Sequence, residues 1–405
     1  MSFEWFKGTW GDLVELKYGK GLKNYKESNE EIPVFGTNGP VGFTSKALCD
    51  FPSIIIGRKG AYRGVHFSSV PFWVIDTAYF VVPKKDFNIK WAYYHLLTQD
   101  INALDSGSAI PSTSREDFYQ LPVNMPPRWV QDEIVNNLDA LNKKINLNSK
   151  SSQTLEEMAQ AIFKSWFVDF DPVKAKINGE QPEGMDAATA SLFPEKLVES
   201  ELGLIPKGWE VKPLDKVAHF QNGLALQKFR PESEEDDFLP VLKIAQLRQG
   251  YCDGKEKART DIKESCRVYD GDMIFSWSGT LMIDLWTGGN AALNQHLFKV
   301  TSEEYNLPLY LYWTKHHLAK FQQIAKDKAV TMGHIKRGHL SESLCVIPPK
   351  ALRDKMDEVL LPLINQGLNL RLQSNQLATL RDTLLPKLLS GEIELGQAQE
   401  LAEVE

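Results

Sequence analysis

The chain is 405 residues long, 42% apolar, 10% aromatic and 24% charged, with a formal net charge of −7. That length exceeds what one hydrophobic core usually organises, so two or more domains are expected, and the apolar content excludes a largely disordered chain. No apolar run approaches the roughly 20 residues a bilayer span needs; the best, residues 74–82, is interrupted by Asp76 and Thr77. Residues 1–5, Met-Ser-Phe-Glu-Trp, do not read as a signal peptide, because no basic segment leads into an apolar one. Cys49, Cys252, Cys266 and Cys345 are scattered without a C-x-x-C pair. The expectation is a reducing, cytoplasmic compartment, with neither a disulfide framework nor a thiolate metal site.

Charge is unevenly distributed. Residues 1–128 carry a net +1, 129–199 a net −5, 200–350 a net +1 and 351–405 a net −4. The two near-neutral stretches can still present basic faces, so nucleic acid stays open as a ligand. The alternation itself suggests a duplication.

In chain order, residues 1–126 contain short β-rich runs punctuated by Gly, Pro and Asn: Ile32-Pro-Val-Phe35, Ser53-Ile-Ile-Ile56 and the stretch 73–82, with a helical pattern at 89–101. A double proline, Pro126-Pro127, then opens a helix over 127–168. Its apolar positions step by four and three: Ile134, Leu138, Leu141, Ile145, polar Asn148 and Ser152, then Leu155, Ala159, Ile162 and Trp166. Residues 169–206 read as a linker. The pattern then recurs. Residues 207–348 hold Leu239-Pro-Val-Leu242, Asp272-Met-Ile-Phe275, Leu297-Phe-Lys-Val300 and a helical stretch at 308–324. Pro348-Pro349 opens a second helix over 349–390, with the seam Met356, Leu360, Leu363, Gly367, Leu370, Ser374, Leu377, Arg381, Leu384 and Leu388. Pro362 and Pro386 should kink or break it, and 391–405 forms a tail.

The two halves superpose. Leu121-Pro-Val-Asn-Met-Pro126-Pro127 answers Leu344-Cys-Val-Ile-Pro348-Pro349 at an offset of 222 residues, which also pairs Leu138 with Leu360, Leu141 with Leu363 and Arg115 with Arg337. Further upstream the offset shrinks while the landmarks keep their order: Phe80 with Phe298, Gly60 with Gly279, Pro33 with Pro240, Trp5 with Trp209. The fold expected is therefore α+β: two globular domains, 1–126 and 207–348, separated by two long antiparallel coiled-coil helices in a pseudo-two-fold repeat. A helix of nearly 40 residues is about 60 Å long, more than a domain of this size can cover, so the seams should pair with each other. A polar pair such as Asn148 and Ser374 would fix their register.

Catalytic signatures are missing. The sequence has no phosphate-binding G-x-x-x-x-G-K-[ST] or G-x-G-x-x-G loop and no H-E-x-x-H. Adjacent His316 and His317 cannot face one metal together. Asp169-Phe-Asp-Pro172 lacks the second proline and following aromatic of an amino-methyltransferase motif, and reads as a helix terminator. Asp253 and Glu256 sit in a charged insertion with nothing converging on them.

Three junctions carry a family resemblance: Ser165-Trp-Phe-Val-Asp-Phe-Asp-Pro-Val173, Glu201-Leu-Gly-Leu-Ile-Pro-Lys-Gly-Trp-Glu-Val-Lys-Pro-Leu214 and Leu380-Arg-Asp-Thr-Leu-Leu-Pro-Lys-Leu-Leu-Ser-Gly-Glu-Ile393. With the duplicated layout, the chain resembles the specificity subunit of type I restriction-modification systems over almost its whole length. The resemblance implies a non-catalytic, bacterial or archaeal DNA-reading subunit whose two domains each read half of a split target. It also implies two docked methyltransferase subunits that use S-adenosylmethionine, possible motor-nuclease subunits, and no cofactor or metal on this chain. A self-contained modification enzyme and a coiled-coil adaptor that never touches DNA remain as alternatives; S-adenosylmethionine binding by the isolated chain would mark the first, and absent DNA binding the second.

The family's readers share no transferable contact motif, so DNA-binding candidates rest on position. Arg58, Lys59 and Arg63 follow the Ile-Ile-Ile strand; Trp277, Ser278 and Thr280 occupy the equivalent turn. Ser112, Thr113 and Arg115, and in the second copy Thr331, His334, Lys336 and Arg337, form polar loops before each final strand; Lys228 and Arg230 follow the Gly223 turn. Such loops bring cations and donors within reach of phosphates and base edges.

Overall fold

The computed structural model describes residues 5–105, 110–327 and 333–392. Packing divides them into two units, one comprising the described residues up to Lys144 and from Leu377 onward, the other Ile145–Gln376. The division falls inside both long helices, Arg128–Phe163 and Lys350–Ser390.

In the first unit, Val14–Tyr18, Ala78–Pro83, Ser53–Gly57 and Val65–Ser68 form an antiparallel four-stranded sheet in that spatial order. Ser53–Gly57 is buried throughout because both of its faces are covered. Ile54 and Ile56 point into a core with Trp10, Leu16 and Val81. Ile55 points the other way, onto Phe35, Phe72, Val74 and Phe80. This explains why the strand reads as an unbroken apolar run rather than an alternating one. A smaller sheet holds Gly39–Thr44, Ile32–Gly36 and Trp73–Val74, the last two parallel. Helix Ile89–Leu97 starts at Asn88, whose side chain accepts from the Lys90 and Trp91 amides. Phe6–Thr9 and Pro122–Met125 pair antiparallel where the chain leaves for the first long helix.

The second unit repeats the scheme with one strand added to its smaller sheet. His219–Asn222, Leu297–Thr301, Met273–Ser276 and Met282–Leu285 form its four-stranded antiparallel sheet. Phe238–Leu242 runs parallel to Ala291–Leu293, and Glu210–Pro213 pairs with Leu344–Ile347. Phe80 and Phe298 fall on equivalent central strands, as do Pro33 and Pro240 on the smaller sheets. The extra residues of this copy add helix Ile244–Gln249 and strand Arg267–Val268.

Each unit contains its own segment of antiparallel helix pairing. In the first, Ile134 and Leu138 share a core with Leu384 and Leu388, flanked by half-buried Leu141, and the Arg381 guanidinium donates to Asn142 Oδ1 at 2.9 Å. In the second, Asn148 Nδ2 donates to Gln373 Oε1 at 2.8 Å and Ser152 Oγ to the Gly367 carbonyl at 3.0 Å. The register partner of Asn148 is therefore Gln373 rather than Ser374, whose hydroxyl returns to the Leu370 carbonyl of its own helix. Met356 and Leu360 are buried, with half-buried Ile162 and Leu363 beside them; Ile145, Leu155, Leu370 and Leu377 are half-buried along the same seam. Charged contacts fix each domain to its helices. Lys90 Nζ and Tyr94 Oη both reach Asp139 at 2.6 Å, and Arg371 grips Asp284 through two bonds of 2.8 Å.

Two further expectations change. Pro362 and Pro386 do not break the second helix, which is continuous from Lys350 to Ser390. Both prolines are exposed, so water can serve the Glu358 and Asp382 carbonyls that lose their usual donors. Residues 169–206, expected as a linker, carry helices Asp171–Ile177 and Ala187–Ser191 and the hairpin Leu197–Ser200 with Gly203–Pro206. Val173, Phe193 and Ile205, with half-buried Phe170, Met185, Leu192 and Leu197 beside them, bury this segment in the core of the second unit with Trp166, Phe167 and Trp209. Turn residues such as Gly179 and Gly184 masked them in the sequence.

One consequence is a pH dependence. His95 is buried between Trp10 and Trp91, and desolvation lowers its pKa to about 4. Unfolded, it titrates near 6.5, so only the unfolded chain gains a proton between these values, and stability falls as pH drops from about 6.5 towards 4. At pH 5 the loss from this residue should be about 2 kcal/mol relative to pH 7. Urea unfolding of the protein and of His95→Gln at both pH values checks this: the variant should lose less on acidification, and equal losses would refute the assignment.

Candidate nucleic-acid interface

In the first unit the strand Ser53–Gly57 ends in a turn tied down by its neighbours. The Arg58 and Lys59 amides donate to the Thr77 carbonyl, the Gly60 amide to Pro111 at 2.9 Å, and the Thr113 amide back to Arg58 at 2.9 Å. Gly60 takes φ +125°, a conformation that disfavours a side chain. Sequence placed Arg58 and Arg115 on separate loops; the fold brings them to one ring. The Arg58 guanidinium lies 4.8 Å from the Tyr18 ring centre and Arg115 4.7 Å from it. Each donates to one backbone carbonyl, Arg58 to Asp76 at 3.0 Å and Arg115 to Leu16 at 3.4 Å. A guanidinium carries five donors in a planar fork, matched to a phosphate or to the O6/N7 edge of guanine.

The second unit builds the same clamp. The Ile335 amide donates to the Trp277 carbonyl at 3.0 Å and the Gly279 amide to Gly333 at 2.8 Å, and Gly279 takes φ +65°. These bonds match Thr113 to Arg58 and Gly60 to Pro111, with loop partners 222 residues apart. Arg337 repeats Arg115: its guanidinium donates to the Phe220 carbonyl at 3.1 Å, on the strand equivalent to Val14–Tyr18, and lies 5.5 Å from the Phe298 ring centre. Around it the chemistry differs. Trp277 replaces Arg58 and sits among His296, Phe298 and His334.

The remaining candidates separate by burial. Lys59, Thr280, His334, Lys336 and Arg337 are exposed on the two clamps, and Ser112 is half-buried, its amide donating to Asp105. Arg63 is only 3% exposed, its guanidinium bonded to the Gly60 and Asn102 carbonyls. It stiffens the turn, and its burial overturns the expectation that it contacts DNA. Thr113 and Ser278 are likewise buried; their hydroxyls bond the Gly57 carbonyl and the His296 ring. Lys228 and Arg230 are exposed, but Arg230 lines a hollow with Glu232, Glu234, Lys255, Glu256 and Lys257, where the signs alternate instead of making a basic patch. Thr331 lies outside the described residues.

Sequence reasoning missed Tyr18. Val14 and Leu16 alternate into the core in phase with Tyr18, and a ring continuing a buried face yet ending 45% exposed is the signal that could have found it. Among the described residues no group of three His, Cys, Asp or Glu could hold a metal ion, and no helix is long and apolar enough to cross a membrane.

Comparison with known proteins matches residues 3–157 and 206–374 to the type I restriction modification DNA specificity domain. The chain is 24% identical, over 96% of its own length and 89% of the relative's, to the type I restriction enzyme MjaIX specificity subunit of Methanocaldococcus jannaschii. It is 25% identical to the HindI specificity subunit of Haemophilus influenzae, over 70% of this chain and 71% of that one. In fold it is similar to the crystal structure of the type I restriction-modification system S subunit from M. genitalium, with a TM-score of 0.58, 15% identity and 96% of each chain covered.

Proposed function

Since this chain belongs to the type I restriction modification DNA specificity domain family, we propose that each of its clamps reads one half of a bipartite DNA target. The chain is the non-catalytic specificity subunit of the complex. The observation that carries the reading is the duplicated clamp: the same backbone bonds hold the same turn in both units, while the side chains displayed differ, two arginines on a tyrosine in one and Trp277, His334 and Arg337 in the other. A constant frame with variable chemistry suits two readers of different half-sequences. The paired helices set the spacer and dock two methyltransferase subunits, which carry S-adenosylmethionine; motor-nuclease subunits complete the restriction complex, in the cytoplasm of a bacterium or archaeon.

Two experiments test this. The purified chain alone should transfer no methyl group, and adenine methylation should appear only with the partner subunit; transfer by the chain alone would sink the reading. Exchange of residues 1–126 for a relative's counterpart should change one half of the methylated sequence, read by methylome sequencing. A change in both halves, or in neither, would show that the domains are not separate readers.

A further inference from the structure

We infer that Tyr62 is a stacking wedge that the first reader inserts at its half-site and that the second reader lacks; this rests on the reading role proposed above. The loop between Ser53–Gly57 and Val65–Ser68 spans residues 58–64, whereas its counterpart between Met273–Ser276 and Met282–Leu285 spans only 277–281. The added length carries Tyr62 at its tip, 79% exposed, more than any other large apolar side chain described. In the shorter loop the tip is exposed Thr280, followed by buried Leu281.

Single exposed apolar residues are ordinary on protein surfaces. Tyr62 differs in how it is held. The Gly57 amide donates to the Gly64 carbonyl across the loop base, Thr37 Oγ1 donates to the Lys59 carbonyl at 2.8 Å, and the Arg63 amide donates to Asn102 Oδ1 at 2.8 Å. The buried Arg63 guanidinium ties the Gly60 carbonyl to Asn102. The loop is thus braced at Lys59 and Gly60 on one side of the ring and at Arg63 on the other, and the ring between them is presented to solvent. An exposed aromatic carried on a braced loop is the arrangement that stacks on an unstacked base or opens a base step.

The test uses the complex with its methyltransferase subunits, after domain exchange has assigned the half-site read by the first domain. Binding to the specific duplex is measured for the natural protein, Tyr62→Ala, Tyr62→Phe and Thr280→Ala. Duplexes carry 2-aminopurine at single positions in and beside that half-site, away from the methylated adenines. Tyr62→Ala should weaken binding by about fivefold or more, with the salt slope unchanged, and abolish a fluorescence rise at one step. Tyr62→Phe should stay within about twofold, since the ring is kept, and Thr280→Ala should leave that rise intact. Natural affinity in Tyr62→Ala would overturn the inference while leaving the reading role standing, as would a Phe variant as weak as the Ala variant, which would indicate a hydroxyl contact instead of a stack. Absence of any sequence-specific binding by the natural complex would overturn both.

Discussion

Inserting seven residues into each long helix, after Lys144 and after Gln376, should raise the preferred spacer by about three base pairs while leaving both half-sequences unchanged. A heptad lengthens a helix by about 10 Å and keeps its apolar stripe in phase, and duplex DNA rises about 3.4 Å per base pair. These insertion points separate the contacts cleanly. Asn148 with Gln373 and Ser152 with Gly367 lie on one side, and Asn142 with Arg381 on the other, so neither unit loses a helix contact of its own. Insertion at Ser152, by contrast, would disrupt its bond to Gly367. Three added base pairs also rotate one half-site against the other by about a third of a turn, so methylation could fall even where spacing follows the helices. The measurement is binding to duplexes with graded spacers; an optimum that stays put would show that the helices do not measure the distance.

Arg115→Ala and Arg337→Ala should each weaken recognition of one half-site, by about 1–3 kcal/mol if the fork reads a base edge. The equivalent placement of the two residues, on a strand carbonyl and over a ring, predicts effects of similar size confined to opposite halves. Lysine variants separate the roles. Lysine keeps the charge but not the planar fork, so a base reader stays impaired, whereas a phosphate contact largely recovers in Arg→Lys and the Ala variant loses about one unit of salt slope. Each Ala change also removes a hydrogen bond to the sheet, a cost of about 1 kcal/mol in stability, so thermal unfolding is measured alongside. If mismatches in both halves were discriminated as before, the clamps would not be the readers.

Much of this was legible in the sequence because duplication is a long-range signal that local ambiguity does not erase. The offset of 222 residues paired Arg115 with Arg337, and the structure gives both the same strand and the same kind of partner. The seams were legible for the same reason, since a stripe sustained over many turns outweighs single departures such as Pro362. What failed were inferences about isolated side chains. Arg63 resembles Arg58 in sequence, yet one is buried and the other half-exposed, because Asn102, far along the chain, offers the first a carbonyl. Tyr18 and its pair of arginines left no local pattern, since Arg58 and Arg115 come from loops about 40 and 100 residues away in the chain. The segment 169–206 was not legible because its buried anchors, Val173, Phe193 and Ile205, are spaced too widely and unevenly to leave a period.

The division of the molecule across its helices also sets an order of synthesis. Unit 145–376 is continuous in sequence, so it can close as soon as its own residues leave the ribosome. The other unit begins first but ends last, because Leu384, Leu388 and Leu389 enter the core that holds Trp10, Trp91 and Leu138. A nascent chain therefore carries an unfinished N-terminal core through most of translation, and a message truncated at Gln376 yields a polypeptide that never covers it. Such a product should be an aggregation-prone fragment, recognised by chaperones and proteases, instead of a usable single reader.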